Sequence, residues 1–122
     1  MSYIENLAYS LVIQAYIYGY PLLVINRTKE LTAISANSLE NRLVLNQFIY
    51  KEELANPTDQ FIVSPNVDIL YMYAWLDVSE QPVMLHVPNT QDRYYTVQLL
   101  DAWTNTFANI GRRKTGTEKG YF

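Results

Sequence analysis

Two short segments of this chain combine polar groups and aromatic rings in a way that could bind a small molecule. Residues 64–68 read Ser-Pro-Asn-Val-Asp, and residues 93–101 begin with arginine and end with aspartate. Asn66 offers both a hydrogen-bond donor and an acceptor, and Asp68 offers a carboxylate. Arg93 can hold a carboxylate or phosphate through two hydrogen bonds. The sequence therefore predicts a ligand site at the polar ends of two strands, formed by Asn66, Asp68, Tyr71, Arg93 and Asp101.

Each of these residues also has a structural interpretation. Asp68 could accept backbone N–H groups in an Asx-type turn that starts a strand. Arg93 and Asp101 could form a salt bridge at the rim of a sheet, where such a pair adds little stability. The aromatic side chains could line an apolar or sugar-binding pocket or simply pack in the core: Tyr71, Tyr73, Trp75, Tyr94 and Trp103. Residue types and spacing leave both interpretations open.

No recognisable motif names a reaction. The chain has no cysteine and a single histidine, His86, so thiol nucleophiles and cysteine-ligated zinc are excluded. Its aspartates are scattered rather than spaced as in a calcium loop. The sequence predicts no metal site and no cofactor, and it assigns no catalytic residue. The basic run at 112–114 is typical of a solvated turn.

The composition limits the class of protein. A chain of 122 residues with 49% hydrophobic residues fits one domain with a real core, which we place at 1–122. Its net charge of −3 offers no broad basic field to phosphate backbones, so nucleic acid is not an expected partner.

The N-terminal part predicts a helix. Apolar residues recur at helical spacing over about 2–18, and Ser2 with Glu5 would form a capping box. Gly19 and Pro21 should end or bend this helix, within a helical segment at 2–25. No charge occurs from Asn6 to Asn26, but the tyrosines there favour a buried amphipathic helix, so no membrane span is expected. No signal peptide pattern is present, which predicts a cytoplasmic protein.

A β-rich region is predicted over 60–122. Strand-like runs occur at 61–64, 69–77, 83–87, 94–101 and 106–110. Their short connections favour antiparallel neighbours. Both faces of 69–77 are apolar, which predicts a central strand covered on each side. In 94–101 the side chains of Tyr95, Val97 and Leu99 should face the core.

Several segments together resemble the domain of unknown function 1254 (DUF1254) family. They are residues 15–21, 46–48, 64–68, 70–71, 93–101, 105–111 and 115–116, in order along nearly the whole chain. The resemblance implies an α+β protein, mainly β, in which an N-terminal helix precedes an antiparallel sheet of a β-sandwich or jelly-roll-like body. It also implies that a second domain of unknown function, 1214, usually follows. It implies no established reaction.

Two departures from the family pattern affect these expectations. Ile69 and Met72 stand where the family motif carries hydroxyl residues, so any role of those hydroxyls is lost. The chain also stops at Phe122, where the family's domain would continue into further strands. We therefore expect an incomplete domain with open sheet edges, covered by a second copy or another polypeptide.

Two functions follow from these observations. One is a small-molecule-binding β-domain, or the front part of an enzyme, with Tyr73 and Trp75 as aromatic walls. The alternative is a structural or assembly module whose open sheet edge is a protein interface.

Overall fold

The computed structural model describes residues 2–33, 44–59 and 64–122. Within these ranges one long helix precedes short strands: α1 (Tyr3–Thr32), β1 (Ile49–Tyr50), β2 (Met72–Tyr73), β3 (His86–Val87), β4 (Thr96–Leu100), β5 (Thr106–Gly111) and β6 (Gly120–Tyr121). The described strand pairs are all antiparallel. This confirms the predicted α+β class with a helix followed by antiparallel strands, while a sandwich arrangement stays a prediction. Most of the run predicted at 61–64 lies outside the described residues.

These elements belong to two compact units. The first consists of Met1–Leu31 with Met84–Phe122, and the second of Thr32–Val83. In the first unit β4 pairs with β5 and β3 pairs with β6. In the second unit β1 pairs with β2. Isolated two-stranded sheets are only marginally stable in water, so each pair depends on further packing.

The start of α1 is fixed by side-chain capping. The backbone N–H of Ser2 donates to Glu5 Oε2 at 2.6 Å, and the backbone N–H of Glu5 donates to Ser2 Oγ at 3.3 Å. These bonds satisfy backbone donors that have no partner inside the helix. The capping box predicted from the sequence is confirmed.

The prediction that α1 ends or bends at residues 18–21 is wrong about its end, because the helix continues through Pro21 to Thr32. Proline removes one backbone hydrogen bond, to the carbonyl of Ile17, but does not prevent the next turn from forming. Beyond Pro21, residues with good helix propensity and local bonds maintain the helix. Among these bonds, Asn26 Nδ2 donates to Glu30 Oε1 at 2.9 Å.

The expectation that α1 is a buried helix is also wrong. Residues 2–18 are all exposed, and no residue of the helix is buried. Gly19 is the first half-buried residue of α1. The other parts of the unit therefore pack only against the C-terminal half of this helix. By length and composition α1 is the one helix in the described ranges that could cross a membrane. Core helices of soluble proteins and signal sequences share these properties.

The β4–β5 hairpin is the longest pairing in the described part of the chain. Val97 lies opposite Ile110, and Leu99 lies opposite Ala108. Burial alternates along β4 as predicted, because Tyr95, Val97 and Leu99 are half-buried whereas Thr96 and Gln98 are exposed. The register then shifts, since Leu100 pairs with Thr106. The extra residue, Phe107, makes a β-bulge in β5 and leaves β4 regular.

Two strand predictions need correction. In 69–77 only Met72–Tyr73 is a strand, and Leu70 and Leu76 are 63% and 52% exposed rather than covered. No second layer in the described ranges buries both faces of this segment. The strand predicted at 83–87 pairs with β6 rather than with either sequence neighbour. The predicted antiparallel orientation is confirmed, but the length of a connection does not determine which strand becomes the partner.

Trp103 joins the β4–β5 connection to α1. Its indole Nε1 donates to the carbonyl of Tyr18 at 3.2 Å, and the two rings lie 5.3 Å apart between centroids. That carbonyl neighbours the one deprived of its partner by Pro21, so the indole supports the helix where proline weakens it.

We predict that Trp103→Phe lowers the free energy of unfolding by about 1 kcal/mol, because it removes one hydrogen bond and keeps an aromatic ring. Urea unfolding followed by circular dichroism measures this change. Tyr94→Phe is the control, since Tyr94 is exposed and its ring is kept. Equal stability of the two variants would contradict a role for the indole N–H.

Candidate functional site

The predicted site residues fall in both units. Asn66, Asp68 and Tyr71 belong to Thr32–Val83, whereas Arg93 and Asp101 belong to the unit containing Met84–Phe122.

Asn66 and Tyr71 are brought together. The backbone N–H of Asn66 donates to the Tyr71 hydroxyl at 2.7 Å, which closes the corner between residues 66 and 71. Asn66 and Asp68 are exposed at this corner, and Tyr71 is half-buried. Within the described ranges no residue donates a hydrogen bond to Asp68, so the Asx turn considered for it is not observed there. The side chains of Asn66 and Asp68 thus remain accessible.

The two proposed aromatic walls turn their polar atoms towards Thr32, the last residue of α1. The Tyr73 hydroxyl donates to the Thr32 carbonyl at 3.2 Å, and Trp75 Nε1 donates to Thr32 Oγ1 at 2.9 Å. Burial raises the pKa of the Tyr73 hydroxyl. Both rings are half-buried, so they contribute to packing as well as offering an exposed edge.

Asp101 organises the turn that follows β4. Its Oδ1 accepts the backbone N–H groups of Trp103 and Asn105, at 2.9 and 2.8 Å, and its Oδ2 accepts Asn105 Nδ2 at 2.9 Å. The hydrogen bond from the Asn105 side chain, helped by the two backbone bonds, lowers the pKa of the Asp101 carboxyl. Thr104 has a φ of 68° in this turn, a conformation that β-branched residues rarely adopt. The carboxylate thus stabilises a strained turn.

Arg93 ends a tight turn before β4. Its backbone N–H donates to the Thr90 carbonyl at 3.1 Å, and the central residues Gln91 and Asp92 have φ values of 53° and 60°. Two consecutive positive φ values are typical of a type I′ turn. Asp92 accepts two hydrogen bonds from Arg112, both at 2.9 Å. The side chain of Arg93 is exposed.

Arg93 and Asp101 do not form the salt bridge considered for them. The ion pairs within the described ranges join Lys51 with Asp59 and Arg112 with Asp92. From Arg93 to Asp101 an extended strand spans roughly 25 Å. One chain therefore cannot close these two side chains around a single small ligand.

Asn46 was missing from the predicted site residues although it occurs in a family-like segment. Its Nδ2 donates to the Asp77 carbonyl at 3.0 Å, and its Oδ1 accepts the Asp77 N–H at 2.8 Å. Its own backbone N–H donates to the Trp75 carbonyl at 2.8 Å. The side-chain amide of Asn46 thus both donates to and accepts from the backbone of one residue, as the backbone of a neighbouring strand would. Asn46 has a φ of 58°, a left-handed conformation that asparagine tolerates. The spacing of residues in the sequence does not reveal this conformation.

Within residues 2–33, 44–59 and 64–122, no three metal-ligating side chains cluster. His86 is exposed and lies against the Tyr121 ring at 4.8 Å between centroids.

The features above define a small α+β protein in which a capped helix precedes antiparallel strand pairs. A family model described as protein of unknown function (DUF1254) matches residues 45–122. The match covers more than half of the chain, so the chain belongs to the DUF1254 family. No curated protein and no solved structure matches it.

We predict that Asp101 contributes stability that depends on pH. Because its pKa is lowered by folding, this contribution is present above the ordinary aspartate pKa of about 4 and is lost as pH falls through the folded-state value. Asp101→Asn keeps the shape and removes the charge. Thermal unfolding at pH 7 and at pH 3 should show the wild type more stable than the variant at pH 7, with a smaller difference at pH 3.

Asp59 does not confound this comparison. Its pKa is also lowered, mainly by a hydrogen bond from Lys51, but it is present in both proteins and cancels in the difference. A difference between wild type and Asp101→Asn that stays constant over this pH range would contradict the prediction.

Proposed function

We propose that this chain is a self-associating assembly module of the DUF1254 family. The observation that carries the proposal is the exposure of every residue from 2 to 18, which leaves a large apolar surface on α1 in water. Its large apolar and aromatic members are Tyr3, Ile4, Leu7, Tyr9, Leu11, Val12, Ile13, Tyr16, Ile17 and Tyr18.

The size of this surface supports an interface between chains. These side chains expose roughly 1,000 Å² on the scale of ordinary side-chain areas. The largest apolar patch of a typical monomer is about 300–600 Å². A stable protein interface buries about 800 Å² on each partner. Because the exposed side chains lie on all sides of α1, a partner on one face covers only part of their area, and covering the rest needs further contacts.

The rest of the described chain supports the same function. Its buried apolar residues are few and mostly small: Ala33, Ala55, Val87 and Ile110. Each sheet has two strands and therefore two open edges in the described ranges. A second copy brings an equal apolar surface and equal edges, and residues 6–26 carry no charge that would repel it.

The environment of α1 favours protein over lipid as the covering partner. The β4–β5 connection is joined to the middle of the helix through Trp103 and Tyr18. Strands with open edges cannot enter hydrocarbon, because their unpaired backbone groups would lose water. Asn6, Ser10 and Gln14 also form a polar stripe at four-residue spacing, and Gln14 Nε2 donates to Ser10 Oγ at 3.2 Å.

Sedimentation equilibrium tests this function. The wild-type chain should sediment as a dimer or larger oligomer at micromolar concentration. Leu11→Glu should weaken association because it places a charge in the apolar surface, whereas Gln14→Glu adds the same charge to the polar stripe and should not. Both residues are exposed, so neither change removes a buried contact within one chain.

Two results would contradict this function. One is a wild-type chain that remains a folded monomer at all concentrations. The other is a chain that stays monomeric in water and floats with phosphatidylcholine vesicles, which would assign the surface of α1 to a bilayer.

Small-molecule binding is a second candidate function, favoured by the corner that the Tyr71 hydroxyl closes. The accessible amide of Asn66 and carboxylate of Asp68 suit the hydroxyl groups of a sugar-like ligand. Tyr73 and Trp75, in the same unit, would supply apolar faces.

We predict saturable amide chemical-shift changes at residues 66–71 when the ¹⁵N-labelled protein is titrated with glucose. Asp68→Asn should reduce them, because a charged acceptor binds hydroxyl groups more strongly than a neutral one. Asp92→Asn, a change of charge in the other unit, is the control. Changes that do not saturate, or that are equal in the two variants, would exclude this site for sugar-like ligands.

A further inference from the structure

The sequence of β4 and its flanks is complementary to itself about Val97. Arg93 and Asp101 lie equally far from Val97, and so do Tyr95 and Leu99. If two copies of this strand pair antiparallel about a two-fold axis at Val97, each residue meets its counterpart from the second copy. Opposite charges then face each other twice, an aromatic ring faces a leucine twice, and valine faces valine.

The hairpin leaves the required edge of β4 open. The Arg112 N–H donates to the Tyr95 carbonyl at 3.2 Å, and the Asp101 N–H donates to the Asn105 carbonyl at 3.0 Å. Because backbone groups alternate along an antiparallel strand, Val97 also faces β5, whereas Thr96 and Gln98 direct their N–H and C=O groups to the other edge. β4 has no second strand partner in the described ranges.

The hydrogen-bonding pattern places the complementary side chains close together. On the open edge Thr96 and Gln98 would form the hydrogen-bonded pairs with the second copy. The Val97 pair and the Arg93–Asp101 pairs would then be non-hydrogen-bonded pairs, in which opposite side chains approach most closely. Asp101 keeps its negative charge there, since its turn donates only neutral N–H groups.

We infer that β4 pairs antiparallel with β4 of a second copy about a two-fold axis at Val97, joining two hairpins into a four-stranded sheet. This inference rests on the proposed self-association and adds a specific strand edge to the α1 surface that was proposed for it. Arg93 and Asp101, too far apart to act together in one chain, become inter-chain ion pairs. Charge complementarity of this kind sets register and orientation between partners.

The open edge of β5 is a poorer candidate. Its residues 106–111 carry no charge, so nothing in them selects a register. The bulge at Phe107 interrupts the ladder and increases the local twist. The β4 edge is regular, and two oppositely charged residues, Arg93 and Asp101, lie beyond its two ends.

A single introduced cysteine tests the axis, because the natural chain has none. In the inferred dimer, Val97→Cys places two thiols across a non-hydrogen-bonded pair with Cα atoms about 4.5 Å apart. This separation lies within the disulfide range of about 4.4–6.8 Å. Mild oxidation at low micromolar concentration should give a covalent dimer that dithiothreitol reverses. Asn109→Cys, on the opposite strand of the hairpin, should stay uncrosslinked.

A matched pair of proline variants tests the edge independently of cysteine chemistry. Gln98 and Asn109 are cross-strand partners whose N–H groups point to opposite edges of the hairpin. Gln98→Pro removes a donor from the β4 edge and should raise the dissociation constant at least about tenfold. Asn109→Pro removes one from the β5 edge and should leave it unchanged. Arg93→Glu should weaken the dimer, while the equal charge change Lys114→Glu should not.

The outcomes separate this inference from the function it rests on. A wild-type chain that is monomeric in sedimentation overturns both. A wild-type oligomer in which Val97→Cys fails to crosslink, or in which Gln98→Pro and Asn109→Pro weaken association equally, overturns the β4 pairing and leaves self-association through α1. Amide circular dichroism of each variant detects loss of folding. Where a cysteine or proline variant does not fold, the comparison of Arg93→Glu with Lys114→Glu decides whether β4 pairs with β4, because Arg93 is exposed and its replacement removes no buried contact.

Discussion

The apolar surface of α1 must leave water, and the described part of this chain does not supply enough covering for it. Trp103 holds the middle of the helix through one hydrogen bond and one ring contact, while the turns before it stay exposed. Burial of apolar area is the main favourable term in folding. Within the unit that contains α1, the strand pairs β3–β6 and β4–β5 leave residues 2–18 exposed. The proposed self-association would therefore couple stability to association.

Polar side chains in this structure are used mainly to hold backbone in place. Asp101 stabilises a strained turn, Asn46 pairs with the backbone of Asp77, and the Tyr71 hydroxyl closes a corner. Acids, amides and phenols also bind ligands, so the types of these three residues alone would suggest a functional role. Asn66 and Asp68, in one unit, differ because their side chains remain exposed. The second candidate function, binding of a sugar-like ligand, therefore depends on these two.

Local rules predicted the parts of the fold that local interactions determine. The Ser2–Glu5 capping box and the alternating burial of β4 depend on residues close in sequence. Local bonds maintain α1 past Pro21, but the bond from Trp103, 85 positions away, could not be predicted from neighbouring residues. The pairing of β3 with β6 likewise joins distant residues. Arg93 and Asp101 do not form the ion pair considered for them, because an extended strand separates the two residues. The rest of the candidate site stays a prediction.

The bulge at Phe107 would limit the growth of the four-stranded sheet that two paired β4 strands are inferred to form. A four-stranded sheet built from two hairpins has β5 at both of its outer edges, and an open edge can recruit further chains into a fibre. The extra residue in β5 breaks the regular spacing of donors and acceptors that an incoming strand would need. In the inferred dimer, the bulged β5 edges would therefore stop further strand addition at two copies.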